Sequence, residues 1–235
     1  TFADGPSGVR RQYGNGDHLG LNPSTPATCF PSSSTLANSW DEALEEKVGS
    51  ALGQEAALED VAVLLAPGLN LKRNPLCGRN FEYFSEDPLI SGKMASAMVR
   101  GLQSLPGGGG CIKHYAANNQ ETNRNAVDSV IGQRALREIY LEPYKIAIQE
   151  SQPLSIMSSY NLINGVPTAD SYDLCTDLAR GEWGFEGLIM TDWNGGSSTP
   201  WKSMHAGNDL IMPGGKGRAM NILQAVRTVM PEFDE

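Results

Sequence analysis

The stretch GLIMTDWNG, residues 187–195, places an aspartate directly after a run of apolar residues. The run Gly187–Met190 predicts a short strand that is buried on both faces, as strands of parallel sheets are. A carboxylate at the exit of such a strand is poorly hydrated, so Asp192 needs partners that hold it there. Two explanations are open: Asp192 caps the next helix or pairs with a nearby arginine, or it is a catalytic carboxylate at the rim of a barrel.

Other side chains capable of chemistry follow other predicted strands, at the point where each strand ends. The carboxyl ends of the strands of a β/α barrel converge on one rim, where active sites are built. Each residue alone has an ordinary explanation, such as a core histidine or a core tryptophan, but those explanations do not predict that all of them fall at strand ends. The groups are Asp4 after an opening segment, Arg73 and Arg79 after residues 61–71, Lys113 and His114 in 111–116, Met157 and Tyr160 in 154–161, and Asp192 and Trp193 in 187–193.

This set of side chains suits a ligand with many hydroxyl groups, such as a sugar. Charged and polar groups form directional hydrogen bonds to hydroxyls, while the apolar face of a sugar packs on an aromatic ring such as Trp193. Lysine and arginine near Asp192 are expected to keep it ionised at neutral pH, and an ionised carboxylate can attack an anomeric carbon. Three acidic residues of the segment FEYFSEDP have a simpler explanation as loop and cap residues: Glu82, Glu86 and Asp87.

The elements that must position these groups alternate along the chain. Residues 5–38, rich in Gly, Pro, Ser, Thr and Asn, predict a long surface loop. A helix is predicted to begin at Ser39, which forms a capping box with Glu42. The remaining pattern predicts strands at 61–71, 111–116, 154–161, 187–193 and 209–213. It predicts a helix through Met94, Met98 and Leu102 after a loop at 74–88, and further helices at 132–150 (interrupted at Pro143), 172–184 and 220–230.

The alternation of strands and helices predicts an α/β fold with a parallel sheet. A closed barrel and a doubly wound open sheet both fit this order. No GxGxxG sequence follows the first strand, so a dinucleotide-binding fold has no direct support. The four glycines at 107–110 precede a strand and lack the GK[ST] of a phosphate-binding loop, so they predict a flexible turn.

The composition limits the class of protein and its partners. The chain has 235 residues, of which 40% are hydrophobic and 19% charged, and is long enough for one large globular domain. The formal net charge of -9 argues against nucleic acid and against an anionic membrane surface as partners. No apolar run approaches the ~18 residues that a membrane-spanning helix needs.

The four cysteines, at positions 29, 77, 111 and 175, stand singly and form no CxxC pair. This spacing argues against a zinc ribbon or a redox dithiol and predicts buried free thiols. Free thiols favour a reducing, cytoplasmic compartment, with secretion as the alternative. No signal peptide is visible, but Thr1 is not a natural start, so the natural N-terminus is expected to lie upstream.

Five long stretches resemble glycoside hydrolase family 3 and occur in the order of that family. The resemblance covers almost the whole chain, and the β-glucosidase branch is the most similar, since GRNFEYFSEDP has the glucosidase form of its loop and not the β-xylosidase form. The N-acetylglucosaminidase branch carries a His–Asp loop after its Lys-His pair, where this chain has AANNQETN. The stretches are ADGPSGVRRQ (3–12), GLNLKRNPLCGRNFEYFSEDP (68–88), CIKHYAANNQETNR (111–124), SIMSSYNLINGVP (155–167) and GLIMTDWNG (187–195).

The resemblance implies a (β/α)8-type TIM barrel that forms a single domain over residues 1–235 and is incomplete at its N-terminal end. It implies retaining hydrolysis of β-glucosides or cello-oligosaccharides, with Asp192 as the nucleophile and no metal or organic cofactor. The residues that it assigns to the substrate are Asp4, Arg79, Lys113, His114, Met157, Tyr160 and Trp193.

One departure from the family concerns the acid/base. In the β-glucosidase branch this glutamate lies in a second α/β sandwich domain, which is not in this chain. Retention requires two carboxyl groups, a nucleophile and an acid/base. The sequence does not justify assigning the acid/base to Glu82, Glu121 or Glu182. We therefore expect the chain to need that domain as a partner. The alternatives are a catalytically idle sugar-binding or structural barrel and a β-xylosidase of the same family.

Overall fold

The computed structural model describes residues 1–14 and 22–229. Its strands are β1 (Phe2–Asp4), β2 (Val63–Leu65), β3 (Gly109–Tyr115), β4 (Asp128–Ser129), β5 (Ser155–Ser158), β6 (Leu162–Ile163), β7 (Val166–Pro167) and β8 (Leu188–Met190). Five of them form a parallel sheet in the order β1-β2-β3-β5-β8. Met190 of β8 forms a further parallel bridge to Leu210, which adds a sixth position to the sheet.

The order of the strands distinguishes the two folds that the sequence left open. Each strand of this sheet lies beside the one before it, and the order never reverses. A doubly wound sheet reverses its order at a switch point, whereas a barrel keeps winding in one direction. The described residues therefore form an α/β fold of the barrel type, with five strands and a bridge in place of eight strands. The predictions of an α/β fold and of an incomplete barrel are both confirmed.

The helices cover the outer face of the sheet. They are α1 (Ser33–Ala37), α2 (Glu42–Leu58), α3 (Pro88–Leu102), α4 (Gln133–Ala135), α5 (Glu142–Ser151), α6 (Pro200–Ala206) and α7 (Lys216–Val229), with π-helical segments at Leu136–Tyr140 and Asp173–Glu182. Helix α3 packs between α2 and α5. Helices α2 and α3 approach closely, since a Cβ placed on Gly101 of α3 would lie 2.2 Å from the carbonyl oxygen of Glu46.

The strands separate an outer core from an inner one because successive side chains point to opposite faces. Leu64 of β2 belongs to the large cluster between sheet and helices, which continues through Ile112, Ile156 and Ile189. Val63 and Leu65 point the other way, into the barrel. There they join a smaller cluster whose other buried members are Cys111, Met157 and Met190. This inner cluster is an apolar floor beneath the ends of the strands.

Several boundaries differ from those predicted. Helix α2 begins at Glu42, and its N-cap is Asp41, whose carboxylate accepts the Leu44 N–H at 3.0 Å, so the predicted capping box at Ser39 is wrong. The predicted loop at 5–38 contains helix α1, although its residues 15–21 lie outside the described residues. The predicted strand at 209–213 is only the bridge of Leu210, and Met230 of the predicted last helix lies outside the described residues.

Other elements were not predicted at all. Strands β6 and β7 form a hairpin, and β4 pairs with β6. The hairpin turn is Asn164-Gly165, both with positive φ, and an Asn-Gly pair is the usual sequence of such a turn. The expected flexible turn at 107–110 is only partly one, since Gly109 begins β3. A Cβ on Gly109 would lie only 2.7 Å from the Cβ of Leu154. Leu154 can therefore pack this closely against β3 only because residue 109 is a glycine.

The helix predicted at 132–150 is divided near Leu141, and Pro143 lies in the first turn of α5, where a missing N–H costs nothing.

All four cysteines are free, and three are buried as predicted, but Cys29 is exposed. Within residues 1–14 and 22–229, no helix has both the length and the apolar character needed to cross a membrane.

Candidate active site

A cavity of about 490 Å³ opens at the carboxyl ends of the central strands. It is lined by all eight residues that the sequence singled out for catalysis or substrate binding. The roles of these residues stay predictions, but their convergence on one cavity is what a barrel rim requires. The eight residues are Asp4, Arg79, Lys113, His114, Met157, Tyr160, Asp192 and Trp193.

Asp192 lies two residues beyond β8 and is only 7% exposed. Its Oδ1 accepts the N–H of Trp193 at 2.7 Å, and it is the N-cap of a single 3₁₀ turn, Trp193–Gly195. The ordinary explanation as a cap is therefore correct for the local geometry. It does not account for the cavity that the carboxylate faces, because capping needs no opening to solvent.

Burial raises the pKa of Asp192 above its usual range. The Trp193 N–H, the Tyr160 hydroxyl and the cations Arg79 and Lys113 act in the opposite direction without cancelling the effect of burial. The net direction is thus opposite to the one expected from the cations alone. A carboxylate with a raised pKa is a more basic one, and basicity strengthens a nucleophile that is still ionised.

His114 is fixed beside Asp192, with Nε2 at 3.8 Å from the Asp192 Oδ2. Burial lowers the pKa of His114 well below its usual range, and the nearby cations lower it further, so the imidazole is neutral at pH 7. Asn70 holds the main chain on both sides: it accepts the His114 N–H and donates to the His114 carbonyl, each at 2.9 Å. Tyr83 lies 3.2 Å from the ring Nδ1. Sequence analysis missed both supporting residues: Asn70 lies inside the strand predicted at 61–71, and Tyr83 lies in the loop beyond it.

Strand β3 presents two successive side chains, Lys113 and His114, to the same cavity. In a regular strand these two would point to opposite faces. The pairing of β3 with β5 shifts register between Ile112 and Tyr115, which marks an irregularity of the bulge type. Bulges redirect side chains and are common beside active sites.

A chain of five alternating charges runs along one wall of the cavity; we call it the ion-pair chain. The Asp4 carboxylate lies 2.9 Å from an Arg10 nitrogen and 3.9 Å from the Lys113 Nζ. The Lys113 Nζ also lies 3.4 Å from the Glu82 Oε2, and the other Glu82 oxygen accepts the Arg79 Nε–H. Glu82 lies in a loop, as predicted, but its side chain is buried between two cations, which a loop position alone does not explain. Asp87, in contrast, is the N-cap of α3, as predicted.

Three arginines that the sequence analysis did not single out also line the cavity: Arg10, Arg11 and Arg124. Arg10 belongs to the ion-pair chain, and Arg124 places its guanidinium 4.8 Å from the centre of the Tyr160 ring while pairing with Glu121 at 2.8 Å. All three lie inside the stretches that resemble the family, which was the available signal. Arg73, which also follows β2, does not line the cavity and instead stacks on Tyr140.

The cavity contains carboxylates but has no grouping typical of a metal centre. Among residues 1–14 and 22–229, no three His, Cys, Asp or Glu side chains are arranged to hold a metal ion. The carboxylates that line the cavity are Asp4 and Asp192. The arrangement can therefore bind a neutral ligand through charged hydrogen-bonding groups and present one buried carboxylate to it.

Comparisons with known proteins find similar sequences and structures. A family model for the glycosyl hydrolase family 3 N terminal domain matches residues 19–229. Thermostable β-glucosidase B from Acetivibrio thermocellus is 45% identical over 228 residues, which are 97% of this chain and 30% of that protein. An exo-α-(1→6)-L-arabinopyranosidase from Bifidobacterium longum is 49% identical over 213 residues, which are 90% of this chain and 28% of that protein.

The fold is equally similar to solved structures. The structure of β-glucosidase 3B from Thermotoga neapolitana in complex with glucose superposes with a TM-score of 0.89 at 46% identity, over 97% of this chain and 32% of that one. The chain thus spans about 30% of the length of the relatives that it matches.

Proposed function

The chain belongs to glycosyl hydrolase family 3, and on that premise we propose that it is the nucleophile-bearing barrel of a retaining β-glucosidase. The observation that carries the proposal is the position of Asp192, a buried carboxylate that faces a cavity lined by cations and aromatic rings. The substrates would be β-glucosides or cello-oligosaccharides, cleaved at a terminal glucosyl residue.

The proposed reaction begins with attack of an Asp192 oxygen on the anomeric carbon. A bond forms between this oxygen and C1, and the bond between C1 and the aglycone oxygen breaks, which leaves a covalent glycosyl ester. The N–H of Trp193 holds one carboxylate oxygen, so the group cannot rotate away from the sugar. Water then attacks C1 on the opposite face and gives a proton to the acid/base, while the bond between C1 and the Asp192 oxygen breaks. The sugar leaves with its original configuration, and Asp192 is a free carboxylate again.

The residues of the ion-pair chain that line the cavity would hold the sugar hydroxyls, together with His114. A neutral imidazole can both donate and accept a hydrogen bond, and Lys113 and Arg79 can donate charged ones. Met157 and Trp193 would pack on the apolar faces of the ring, and Tyr160 would orient the nucleophile. Contacts of this kind accelerate the reaction only when they tighten as the ring flattens in the transition state.

We place the acid/base outside this chain, in the α/β sandwich domain implied by the family. Retention needs a second carboxyl group about 5–5.5 Å from the nucleophile. Burial raises the pKa of Glu82, but Lys113 and Arg79 outweigh burial and lower it overall, which makes Glu82 a poor proton donor. Asp4 is held by two cations, and Glu121 and Glu182 do not line the cavity. The relative from Acetivibrio thermocellus is about three times longer than this chain, so the acid/base can lie in a part of such a protein that this chain does not cover.

The test is covalent labelling with 2,4-dinitrophenyl 2-deoxy-2-fluoro-β-D-glucoside. Dinitrophenolate leaves without a proton, so labelling does not need the acid/base. We expect one fluoroglucosyl group per chain, found by mass spectrometry on the peptide that contains Asp192. Asp192→Asn should remove the label, and Asp177→Asn, on an exposed carboxylate outside this cavity, should keep it. A wild-type chain that is folded but takes no label would favour the idle barrel.

A second candidate activity comes from the relative named exo-α-(1→6)-L-arabinopyranosidase, which is 49% identical. Arabinopyranose and xylose lack the hydroxymethyl group of glucose, so the side of the cavity that would face this group decides among the three sugars. Initial rates with the dinitrophenyl β-glucoside, α-L-arabinopyranoside and β-xyloside separate the candidates. A kcat/KM highest for the glucoside supports the proposed function.

A further inference from the structure

Glu82 differs from the rest of the ion-pair chain in one respect: it does not line the cavity. The other four members, Asp4, Arg10, Arg79 and Lys113, all do. Its side chain is 5% exposed, and each of its two oxygens faces a different cation. A buried carboxylate with two cationic partners keeps its charge, and those partners keep their orientation as long as the charge is present.

The position of Glu82 in the fold explains why it can hold both cations. Arg79 lies on the same loop, three residues earlier, so the pair forms locally. Lys113 comes from β3 and is only 4% exposed, so its ammonium group depends on a carboxylate that the loop delivers. Glu82 thereby connects the loop that follows β2 to the wall formed by β3.

We propose that Glu82 is a positioning residue for the glycosidase reaction: it holds Arg79 and Lys113 in place and offsets their charge. The inference rests on the proposed function, because positioning is measured here through the reactivity of Asp192. Glu82 does not touch the substrate in this arrangement. It acts through the two cations, which contact the sugar and also influence the nucleophile.

Loss of the Glu82 charge has a predictable effect on Asp192. Arg79 and Lys113 already favour the ionised form of Asp192. Without the Glu82 charge Arg79 loses its carboxylate partner and Lys113 keeps only Asp4, at 3.9 Å, so the pKa of Asp192 should fall. The other groups that face Asp192 are unchanged: the Trp193 N–H, the Tyr160 hydroxyl and the neutral His114. Arg124, above the Tyr160 ring, also keeps its partner Glu121.

The experiment measures the labelling of Asp192 by 2,4-dinitrophenyl 2-deoxy-2-fluoro-β-D-glucoside as a function of pH. Because the leaving group needs no proton, the acidic limb of the profile reports the ionisation of the nucleophile. Glu82→Gln keeps the shape and removes the charge, and Glu82→Asp keeps the charge with a shorter reach. The control is Glu46→Gln, which breaks a similar carboxylate–Nε pair, with Arg100, on the outer helices.

For Glu82→Gln we expect kinact/KI at least tenfold below wild type and an acidic limb displaced to lower pH. Glu82→Asp should lose less activity and keep the wild-type limb, and Glu46→Gln should match wild type in both respects. If Glu82→Gln does not fold, Glu82→Asp decides: a lower kinact/KI supports the proposal, and wild-type kinetics overturn it.

Two results for a folded Glu82→Gln would overturn the role of Glu82. One is a wild-type rate with a wild-type limb. The other is a lower rate with an unmoved limb, which indicates general damage to packing. A wild-type chain without any label would instead overturn the proposed function, and this inference with it, so the two failures are distinguishable.

Discussion

Two buried glutamates of this chain are stabilised in opposite ways. Glu82 lies between Arg79 and Lys113, and these cations outweigh burial and lower its pKa. Glu45, in α2, is fully buried, and neither of its carboxyl oxygens has a hydrogen-bond partner among the described residues. Burial raises the pKa of Glu45 to about 8, because an unpaired charge in an apolar layer is costly. Glu45 is therefore protonated in the folded chain at neutral pH.

The raised pKa of Glu45 makes the stability of the fold depend on pH. The folded state holds the proton more tightly than the unfolded state, in which Glu45 has a pKa near its ordinary value of 4.5. The stability that the protonated Glu45 contributes is fully present below pH 4.5, and it is lost as the pH rises through about 8. The full shift corresponds to at most about 5 kcal/mol, at ~1.36 kcal/mol per pKa unit. Glu45→Gln removes this dependence, since glutamine stays neutral.

Urea denaturation of wild type and Glu45→Gln at pH 5 and pH 8 measures the effect. We expect the variant to gain stability relative to wild type by several kcal/mol between the two pH values. Glu46→Gln, one residue along and partly exposed, is the control and should show no such gain. The explanation is wrong if the difference between Glu45→Gln and wild type is the same at both pH values.

Asn70 offers a second test on a single side chain. Its amide pairs with both the N–H and the carbonyl of His114, and the carbonyl also accepts the Tyr144 hydroxyl at 2.7 Å. Asn70→Ala therefore leaves the buried His114 N–H unsatisfied, and a loss of roughly 1–3 kcal/mol in the free energy of unfolding is expected. The rate of Asp192 labelling should fall as well, because His114 loses its fixed position. Asn38→Ala, which removes an exposed bond to the Ser34 carbonyl, should cost less than Asn70→Ala and leave labelling unchanged.

The residues of the cavity were predictable from the sequence to the extent that they follow strands. Asp192, Lys113 and His114 each come at the end of an apolar run, and a barrel brings such ends together. Glu82 and Asn70 were not predictable in the same way. Their roles depend on groups of β3 that lie more than thirty residues further along the chain: the Lys113 ammonium for Glu82 and the His114 main chain for Asn70.

At the scale of elements, the contact between α2 and α3 depends on residues without side chains. A Cβ on Gly101 would lie 2.2 Å from the Glu46 carbonyl oxygen and 2.6 Å from the Ser50 nitrogen. Both are backbone atoms, which a rotamer change cannot move away. Gly101→Ala should therefore destabilise the fold by roughly 1–3 kcal/mol or more, the usual cost of overpacking.

The control for this prediction is Gly217→Ala, in the first turn of α7. A Cβ there would meet no atom within 4 Å, and alanine favours helices over glycine by up to ~1 kcal/mol. Both substitutions exchange glycine for alanine, so they differ only in the surroundings of the new methyl group. In thermal denaturation we expect Gly101→Ala to lower the Tm and Gly217→Ala to raise it. A Tm for Gly101→Ala equal to or above that of wild type would show that the helices can separate at little cost.

Helix and strand boundaries were predicted less well than their order, and the reasons are local. Ser39 and Asp41 can both cap a helix, and the sequence does not show which one adopts the geometry; Asp41 does. Strand β2 ends at Leu65, although apolar residues continue to Leu71. Residues 66–71 are buried by the neighbouring loop and by β3 although they lie outside the strand. An apolar run in the sequence therefore indicates buried residues, and it does not give the length of the strand.

At the scale of the whole molecule, the chain should be a poor glycosidase by itself. Without an acid/base the aglycone leaves unprotonated, and general acid catalysis is typically worth ~10²–10⁴-fold. We expect slow reaction of Asp192 with a dinitrophenyl glucoside, whose leaving group is good, and no hydrolysis of cellobiose. Steady-state assays of the 235-residue chain with both substrates, alone and with the separately expressed α/β sandwich domain, test this.

The comparison of the two substrates is the control, because it depends on the leaving group and not on folding. Addition of the second domain should restore cellobiose hydrolysis more than dinitrophenyl glucoside hydrolysis. Efficient cellobiose hydrolysis by the chain alone would place the acid/base within these residues and contradict our assignment.

The order of the strands around the cavity is also their order in time during synthesis. The ribosome delivers Asp4 with the first strand and Asp192 only after the last strand of the central sheet. At ~5–20 residues per second, the interval between the two carboxylates is on the order of tens of seconds. A nascent chain therefore carries Asp4, Arg79 and Lys113 long before it carries Asp192, so the cavity cannot close until translation has passed β8.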